Sequence, residues 1–343
     1  MLLENDEAGF KAGFVDRLGA MLGADELGAF ILVLANSLQD AASHRALEQS
    51  LADRFEALKQ AYDPGATSIA PDDRAVFESL VGSGIDGYSP WHKRTVGPWK
   101  LAYNPLRGLK PQRASREDFG GLSRDFDPQR FHFDKPFLYP EILSEERFDG
   151  LEFRLMYQKF PFVAFHLLIL LEPSALRPQF MSEPLNQLAW GLLADRAPAI
   201  AGFGIAYNSI GAGASVNHQH LHGFIEGNPL AIEHAIWRHN GGSEIYPVEC
   251  VTTHSAEQTW DMIQRLHAAR QPFNLLYRDG ACYILVRPPH GMISTPDWMP
   301  DAAWYELSGG FNLVHQADYA RLTAQDISAA LALFGAQQRA SGD

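Results

Sequence analysis

The sequence predicts an α+β protein with antiparallel sheets and packed helices, and three observations carry that expectation. From residue 1 to about 62, apolar side chains recur at three- and four-residue spacing, the period of a helix with one buried face. From about Tyr88 onward the texture changes to short β-type runs separated by turns, with few helices. Within that second part the order strand, helix, strand, turn, strand recurs approximately, which suggests a duplicated unit without a residue-level repeat.

The first section shows Phe10, Phe14, Leu18, Met21 and Leu22 on one helical face, and Leu47, Leu51, Phe55 and Leu58 on another. Pro64-Gly65 closes it, and Ala70-Pro71-Asp72-Asp73 opens a short helix through Leu80. Residues 1–86 thus form a helical N-terminal region. It holds no chemical motif, so packing or oligomerisation is its expected role.

Residues 87–245 hold an entry segment and then the unit with the chemistry. Leu151 to Tyr157 alternates, Phe162 to Leu171 is a dense β-type run, and Pro184 to Asp195 reads as a helix capped by Ser182. Gly202 to Tyr207 is strand-like, Asn208 to Ala214 a Gly-rich turn, and Ser215 to Ile225 a further strand. In residues 246–343 the expected elements are a strand at Val248 to His254 and a helix at Ala256 to Ala269. A hairpin, Phe273 to Tyr277 with Cys282 to Val286, turns about Asp279-Gly280, and a strand region spans Trp304 to Val314. Thr323 and Asp326 resemble a capping box opening the last helix.

With 46% apolar and 20% charged residues in 343, the chain buries a core, which excludes a disordered or fibrous protein. The densest apolar stretch, Phe160 to Leu171, is interrupted by Pro161 and His166 and falls short of the roughly 20 residues that cross a bilayer. Glu4, Asp6 and Glu7 stand where a signal peptide carries positive charge, so a cytoplasmic protein without membrane association is expected. Cys250 and Cys282 are too few for a disulfide framework or a CxxC metal site. The net charge of −13 argues against nucleic-acid binding. That charge is uneven: residues 87–116 contain no carboxylate but seven basic residues, Lys93, Arg94, Lys100, Arg107, Lys110, Arg113 and Arg116.

The chemistry concentrates in Asn208-Ser-Ile-Gly-Ala-Gly-Ala-Ser-Val-Asn-His-Gln-His-Leu-His222. On a strand, His218, His220 and His222 would share one face with about 6.6 Å between neighbours at ~3.3 Å per residue. Three core histidines so placed would be unusual. Metal chelation would want a carboxylate nearby, yet Glu226 lies six positions after His220. Nucleotidyl transfer fits better, because neutral imidazole is a nucleophile and Gly211, Gly213, Ala214 and Ser215 would let backbone N–H groups approach phosphate oxygens.

His218-Gln-His220-Leu-His222, preceded by Asn208, Gly213, Ser215 and Val216, resembles the signature of the histidine-triad superfamily of nucleotide hydrolases and transferases. Tyr157 to Leu170, with His166-Leu-Leu, resembles the strand-turn-strand that opens that fold. Asn104-Pro-Leu-Arg107 through Arg113, Phe126 to Phe133, Tyr207-Asn-Ser-Ile-Gly, Asn217-His218 and Trp304 to Gly310 are similar to the GDP-hexose phosphorylases. These are related to galactose-1-phosphate uridylyltransferase. The resemblance implies two tandem histidine-triad-like units, the second degenerate.

It further implies roles. His220 would be the nucleophile, His218 would orient it through a ring-nitrogen hydrogen bond, and His222 and Ser215 would hold α-phosphate oxygens. Gly213 would admit backbone donors, Asn208 would form the turn or bind phosphate or ribose, and Arg107 and Arg113 would bind phosphate. Phe131, Phe133 and Phe137 read as a core stripe or the wall of a base pocket, and Lys159 as a solvated turn lysine or a third cation. The implied partners are a nucleoside diphosphate sugar and inorganic phosphate, with no cofactor, no metal and a monomeric or homodimeric state. One departure matters: the phosphorylase branch usually has Gln where this chain has His222. That leaves a histidine-triad hydrolase or a dinucleoside polyphosphate phosphorylase as alternatives, and a non-enzymatic nucleotide or metal sensor as a third.

Overall fold

The computed structural model describes residues 2–3, 5–23, 26–66, 69–111, 121–300 and 302–340. Asp6 accepts from the Gly9 N–H to cap α1 (Glu7–Ala20), which buries Phe10, Phe14 and Leu18. α2 (Leu27–Ser37) is apolar on every side and buried almost throughout, a pattern that requires cover all round. That cover includes α1, α3 (Ala41–Ala61) and α4 (Pro71–Ser83). The helices share one core with the sheet behind them: the Tyr157 hydroxyl donates to the Phe14 carbonyl at 2.7 Å, and Asn36 donates to the Gln158 carbonyl at 3.0 Å.

Next come the hairpin β1 (His92–Val96) and β2 (Trp99–Tyr103), then β3 (Ile142–Phe148), β4 (Leu151–Tyr157) and β5 (Leu167–Leu171). α5 (Glu183–Arg196), β6 (Phe203–Asn208) and β7 (Leu221–Ile225) follow. The remainder supplies β8 (Cys250–Thr253), α6 (Ala256–Ala268), β9 (Phe273–Arg278), β10 (Ala281–Val286), α7 (Trp304–Leu307), β11 (Gly310–Leu313), α8 (Gln316–Arg321) and α9 (Ala324–Ala340). β11 pairs parallel with β2, which ties the end of the chain to the entry hairpin.

An eight-stranded antiparallel sheet runs β3-β4-β5-β7-β6-β9-β10-β8. Its order makes the duplication explicit. β5-α5-β6-β7 and β8-α6-β9-β10 are the same strand, helix, strand, strand unit, in each of which the third strand lies between the other two. The two units meet through β6 and β9, so the sheet is continuous across them. They differ where their last two strands join: the second unit turns at Asp279-Gly280, whereas the first inserts residues 209–220. The histidine motif sits at that insertion.

Alternation along the strands separates two faces. Leu155, Ile169, Ile205, Leu221, Leu275 and Ile284 face the core shared with the helices, while Ala206, Phe224, Leu276 and Leu285 face a second core around Trp304. His222, opposite Leu168 and Ala206, lies on the latter face.

Three expected strands give way to other backbone conformations over part of their length. Phe162 to Leu171 becomes a strand only from Leu167, because Phe165 adopts a left-handed conformation at φ 50°. Trp304 to Val314 contains a one-turn helix before β11, with the Ala303 N–H donating to the Glu306 carboxylate at 3.0 Å. Ser215 to Ile225 is a strand only from Leu221. Upstream, the Gln219 N–H is taken by the Arg177 carbonyl at 2.9 Å and the His220 N–H by the Gln179 amide oxygen at 2.8 Å, so no ladder forms.

Candidate active site

His218 and His220 therefore stand on a loop and His222 on β7, yet all three are buried and their rings follow one another, with 5.3 Å between the His220 and His222 centroids. Gln179 holds the loop: its amide accepts from the His220 N–H and donates to the carbonyls of Asn208 and His220 at 2.9 and 3.2 Å. Nothing in residue spacing announces this glutamine, because it acts from 41 positions upstream.

The proton positions follow from partners that have no choice. His220 Nδ1 lies 2.7 Å from the His218 main-chain oxygen, which only accepts, so Nδ1 carries the proton and Nε2 keeps its lone pair. Burial lowers this imidazole to about 4, so it is neutral at physiological pH. The partner that His218 offers to this ring nitrogen is its backbone carbonyl. The His218 ring is engaged elsewhere, accepting from the Phe133 N–H at 3.1 Å and donating from Nε2 to the Pro173 oxygen at 3.0 Å. It too is neutral, brought to about 4 by burial.

The Trp304 main-chain N–H donates to Asn208 Oδ1 at 3.1 Å, and Asn274 donates to the same oxygen at 2.6 Å. The Asn208 Nδ2 must then face His222 Nε2, 3.4 Å away, which makes Nε2 an acceptor and places the His222 proton on Nδ1. From there it is donated to His166 Nε2 at 3.0 Å, leaving the His166 proton on Nδ1, where it meets no partner among the described residues. Burial holds both rings well below the usual histidine range, with the His220 ring and the nearby Arg107 and Lys110 charges adding to the effect. The Asn208 amide is thus engaged by Trp304, Asn274 and His222, and His222 Nε2 is an acceptor in this arrangement.

Gly213 and Ser215 lie exposed on the loop, and Gly213 has φ 95°. Among the described residues the N–H groups of Gly213, Ala214 and Ser215 form no hydrogen bond. Arg107 is brought to the site. Asn104 accepts from its N–H, its Nη1 donates to the Phe160 carbonyl at 2.8 Å, and its guanidinium lies 4.7 Å over Phe162, whose ring is 4.3 Å from His166. Arg113 lies outside the described residues. Lys159 pairs with Asp73 at 2.6 Å. Phe133 packs at 5.0 Å from His220 and 6.0 Å from His218, Phe131 packs on Phe133 at 5.8 Å, and Phe137 is 64% exposed, so the expected stripe runs from core to surface. No group of three or more His, Cys, Asp or Glu among the described residues is placed to hold a metal ion.

A duplicated strand-helix-strand-strand sheet, with a buried histidine run where the first unit's last two strands join, is the histidine-triad type of fold. The crystal structure of yeast Ap4A phosphorylase Apa2 superposes with a TM-score of 0.50 over 77% of this chain and 94% of that one, at 15% identity. No family model matches the chain. In sequence, 132 residues, 38% of the chain, are 32% identical to GDP-D-glucose phosphorylase 1 of Danio rerio. A further match, 43% identical over 68 residues, is to the protein of the same name from Xenopus laevis. These alignments span 37% and 16% of the two relatives, so the chain matches little more than a third of their length.

Proposed function

We propose that the protein is a nucleoside diphosphate-hexose phosphorylase, converting a GDP-hexose and inorganic phosphate into GDP and hexose 1-phosphate. His220 Nε2 attacks the α-phosphorus, the bond from that phosphorus to the bridging oxygen breaks, and hexose 1-phosphate leaves. An oxygen of inorganic phosphate then attacks the same phosphorus, the P–N bond breaks, and GDP departs. The observation that carries this reading is the 2.7 Å bond from His220 Nδ1 to the His218 carbonyl. It leaves Nε2 unprotonated before attack, and the same carbonyl faces the positive charge that the ring acquires once phosphorylated. Gly213, Ala214 and Ser215 supply N–H donors to the α-phosphate. Arg107, and Arg113 from the same basic segment, supply cations to the pyrophosphate or incoming phosphate. The similarity to GDP-D-glucose phosphorylases points to guanine and hexose as the two ends of the substrate.

In this reading residues 87–245 are the catalytic unit with its entry segment, 246–343 the degenerate unit and 1–86 a helical support. The enzyme works in the cytoplasm as a monomer or homodimer, without metal or cofactor. No described helix is long and apolar enough to cross a membrane.

Incubation with GDP-glucose, with and without phosphate, followed by phosphorus NMR, tests the reading. GDP and glucose 1-phosphate should form only with phosphate present. His220→Gly should abolish turnover with the fold intact, and a labelled guanylyl group should be trapped on the wild type alone. His222 in place of the branch's glutamine favours a second reading, nucleotide hydrolysis, since a histidine can relay a proton to water. Release of GMP without any phosphate requirement would select it.

A further inference from the structure

Phe165, directly before His166, is held against its own backbone preference. Its φ of 50° lies in the left-handed region, which a bulky side chain enters only where its surroundings dictate it. Those surroundings are the N-terminal helices. The Phe165 ring is buried edge-on against Phe10 and Phe14 of α1, at 6.2 and 5.2 Å. Its N–H donates to Gln39 Oε1 at 2.5 Å, in the turn that follows α2. Gln39 is 2% exposed, and its Nε2 has no hydrogen-bond partner among the described residues. An apolar side chain of that length would fill the same space without a stranded donor, so what the glutamine adds is its grip on Phe165.

That grip sets the next residue. The Phe165 ring enters the core shared with the helices, while His166 lies with His222, its Nε2 accepting from His222 Nδ1 at 3.0 Å. The rest of the turn is held in the same manner. Asn36 Nδ2 donates to the Gln158 carbonyl at 3.0 Å, and Lys159 pairs with Asp73 of α4 at 2.6 Å. Between these anchors and Phe165 stand the Phe160 carbonyl and the Phe162 ring, the two groups against which Arg107 rests.

We propose that the N-terminal helices are a working part of the active site, with Gln39 as a positioning residue. By fixing Phe165 in its left-handed conformation, Gln39 aims His166 at His222 and keeps an acceptor in front of the His222 Nδ1 proton. The consequence for turnover rests on the phosphorylase reading; the effect on His166 does not.

Histidine ¹⁵N shifts of the full chain, read through the carbon-bound ring protons, together with steady-state kinetics, test this. In Gln39→Met the His166 Nε2 shift should move toward that of a free acceptor nitrogen, and kcat with GDP-glucose should fall about tenfold while KM stays nearly unchanged. Gln39→Glu, which keeps an acceptor oxygen at the same reach, should restore both. Leu51→Ala removes a buried side chain of α3 away from the turn, and should leave the shift and kcat as in the wild type below its unfolding temperature. Should the methionine variant fail to fold, Gln39→Asn, which withdraws the amide by one methylene, carries the same expectation. An unmoved His166 Nε2 shift, a loss of kcat that Leu51→Ala reproduces, or a glutamate variant no better than methionine overturns the proposal. A wild type that does not turn over GDP-glucose strikes the phosphorylase reading instead, and the His166 shift then decides the role of Gln39 alone.

Discussion

The Trp304 main-chain N–H donates to Asn208 Oδ1 at 3.1 Å, and this bond decides which nitrogen of His222 carries a proton. A backbone N–H cannot reverse its role, so it fixes the asparagine amide, which fixes the histidine. Asn208→Asp should break that sequence, since a carboxylate presents only acceptors to His222 Nε2. The ring would then take a proton on that nitrogen, and the carboxylate would raise its affinity for it. Turnover is expected to fall by about one to two orders of magnitude with secondary structure unchanged. Histidine ¹⁵N shifts should show the new protonation. Asn208→Ala differs: it strands the Trp304 N–H in the core and leaves the Asn274 amide only its bond to the Ala212 carbonyl, and urea unfolding should register a loss of roughly 1–3 kcal/mol.

Stability should fall on acidification through a defined window. His218 and His220 are held near 4 by burial, whereas an unfolded histidine titrates near 6.5. Between those values the unfolded chain binds more protons than the folded one, so their contribution is complete above about pH 6.5 and is lost as pH falls toward 4. By pH 5 the loss should be on the order of 2 kcal/mol for each residue. Denaturant unfolding at pH 7 and pH 5, compared between wild type and His218→Asn, should show about half the acid sensitivity removed from that pair.

Gly213 links the loop to α7. Its φ is 95°, and a Cβ there would meet the Ala303 Cβ at 2.9 Å, one residue before the Trp304 N–H. Gly213→Ala should destabilise by roughly 1–2 kcal/mol through the backbone conformation alone. It should also displace the start of α7 and with it the bond to Asn208. Activity is expected to drop further than stability. A variant with reduced melting temperature and unchanged kcat would separate the two effects and remove the link.

Local chemistry made some of the fold legible and non-local bonds hid the rest. Ser182 caps α5 by accepting from Leu185, Asp279-Gly280 turns the β9-β10 hairpin, and Thr323 and Asp326 bond reciprocally at the start of α9, all within a few residues of one another. His218, His220 and His222 were legible as a cluster because their spacing is short. Their setting was not, since period two fits an extended loop as well as a strand, and Gln179 and Arg177, which draw the loop away from a ladder, lie some forty residues upstream. Asn208 carried two sequence readings, turn and ligand, and neither anticipated its bonds to Trp304 and Asn274.

Arg154 is a positioning residue that no motif marks. Buried on β4, it reaches Asp134 at 2.8 Å and Glu145 at 2.9 Å. Asp134 directly follows Phe133, whose N–H holds the His218 ring and whose own ring packs on His220. The guanidinium therefore clamps the segment that keeps His218 still, and His218 in turn offers the carbonyl that orients His220. Arg154→Met should cost about 2 kcal/mol, less than a fully buried pair because Glu145 is largely exposed, and should lower kcat more than it raises KM. Adding Asp134→Asn removes the stranded carboxylate and should restore most of the stability but little of the kcat, because the clamp is still missing. Arg154→Lys, which keeps the charge without the two-armed geometry, should fall between them. Wild-type kcat in Arg154→Met would mean that Phe133 holds its place without the guanidinium.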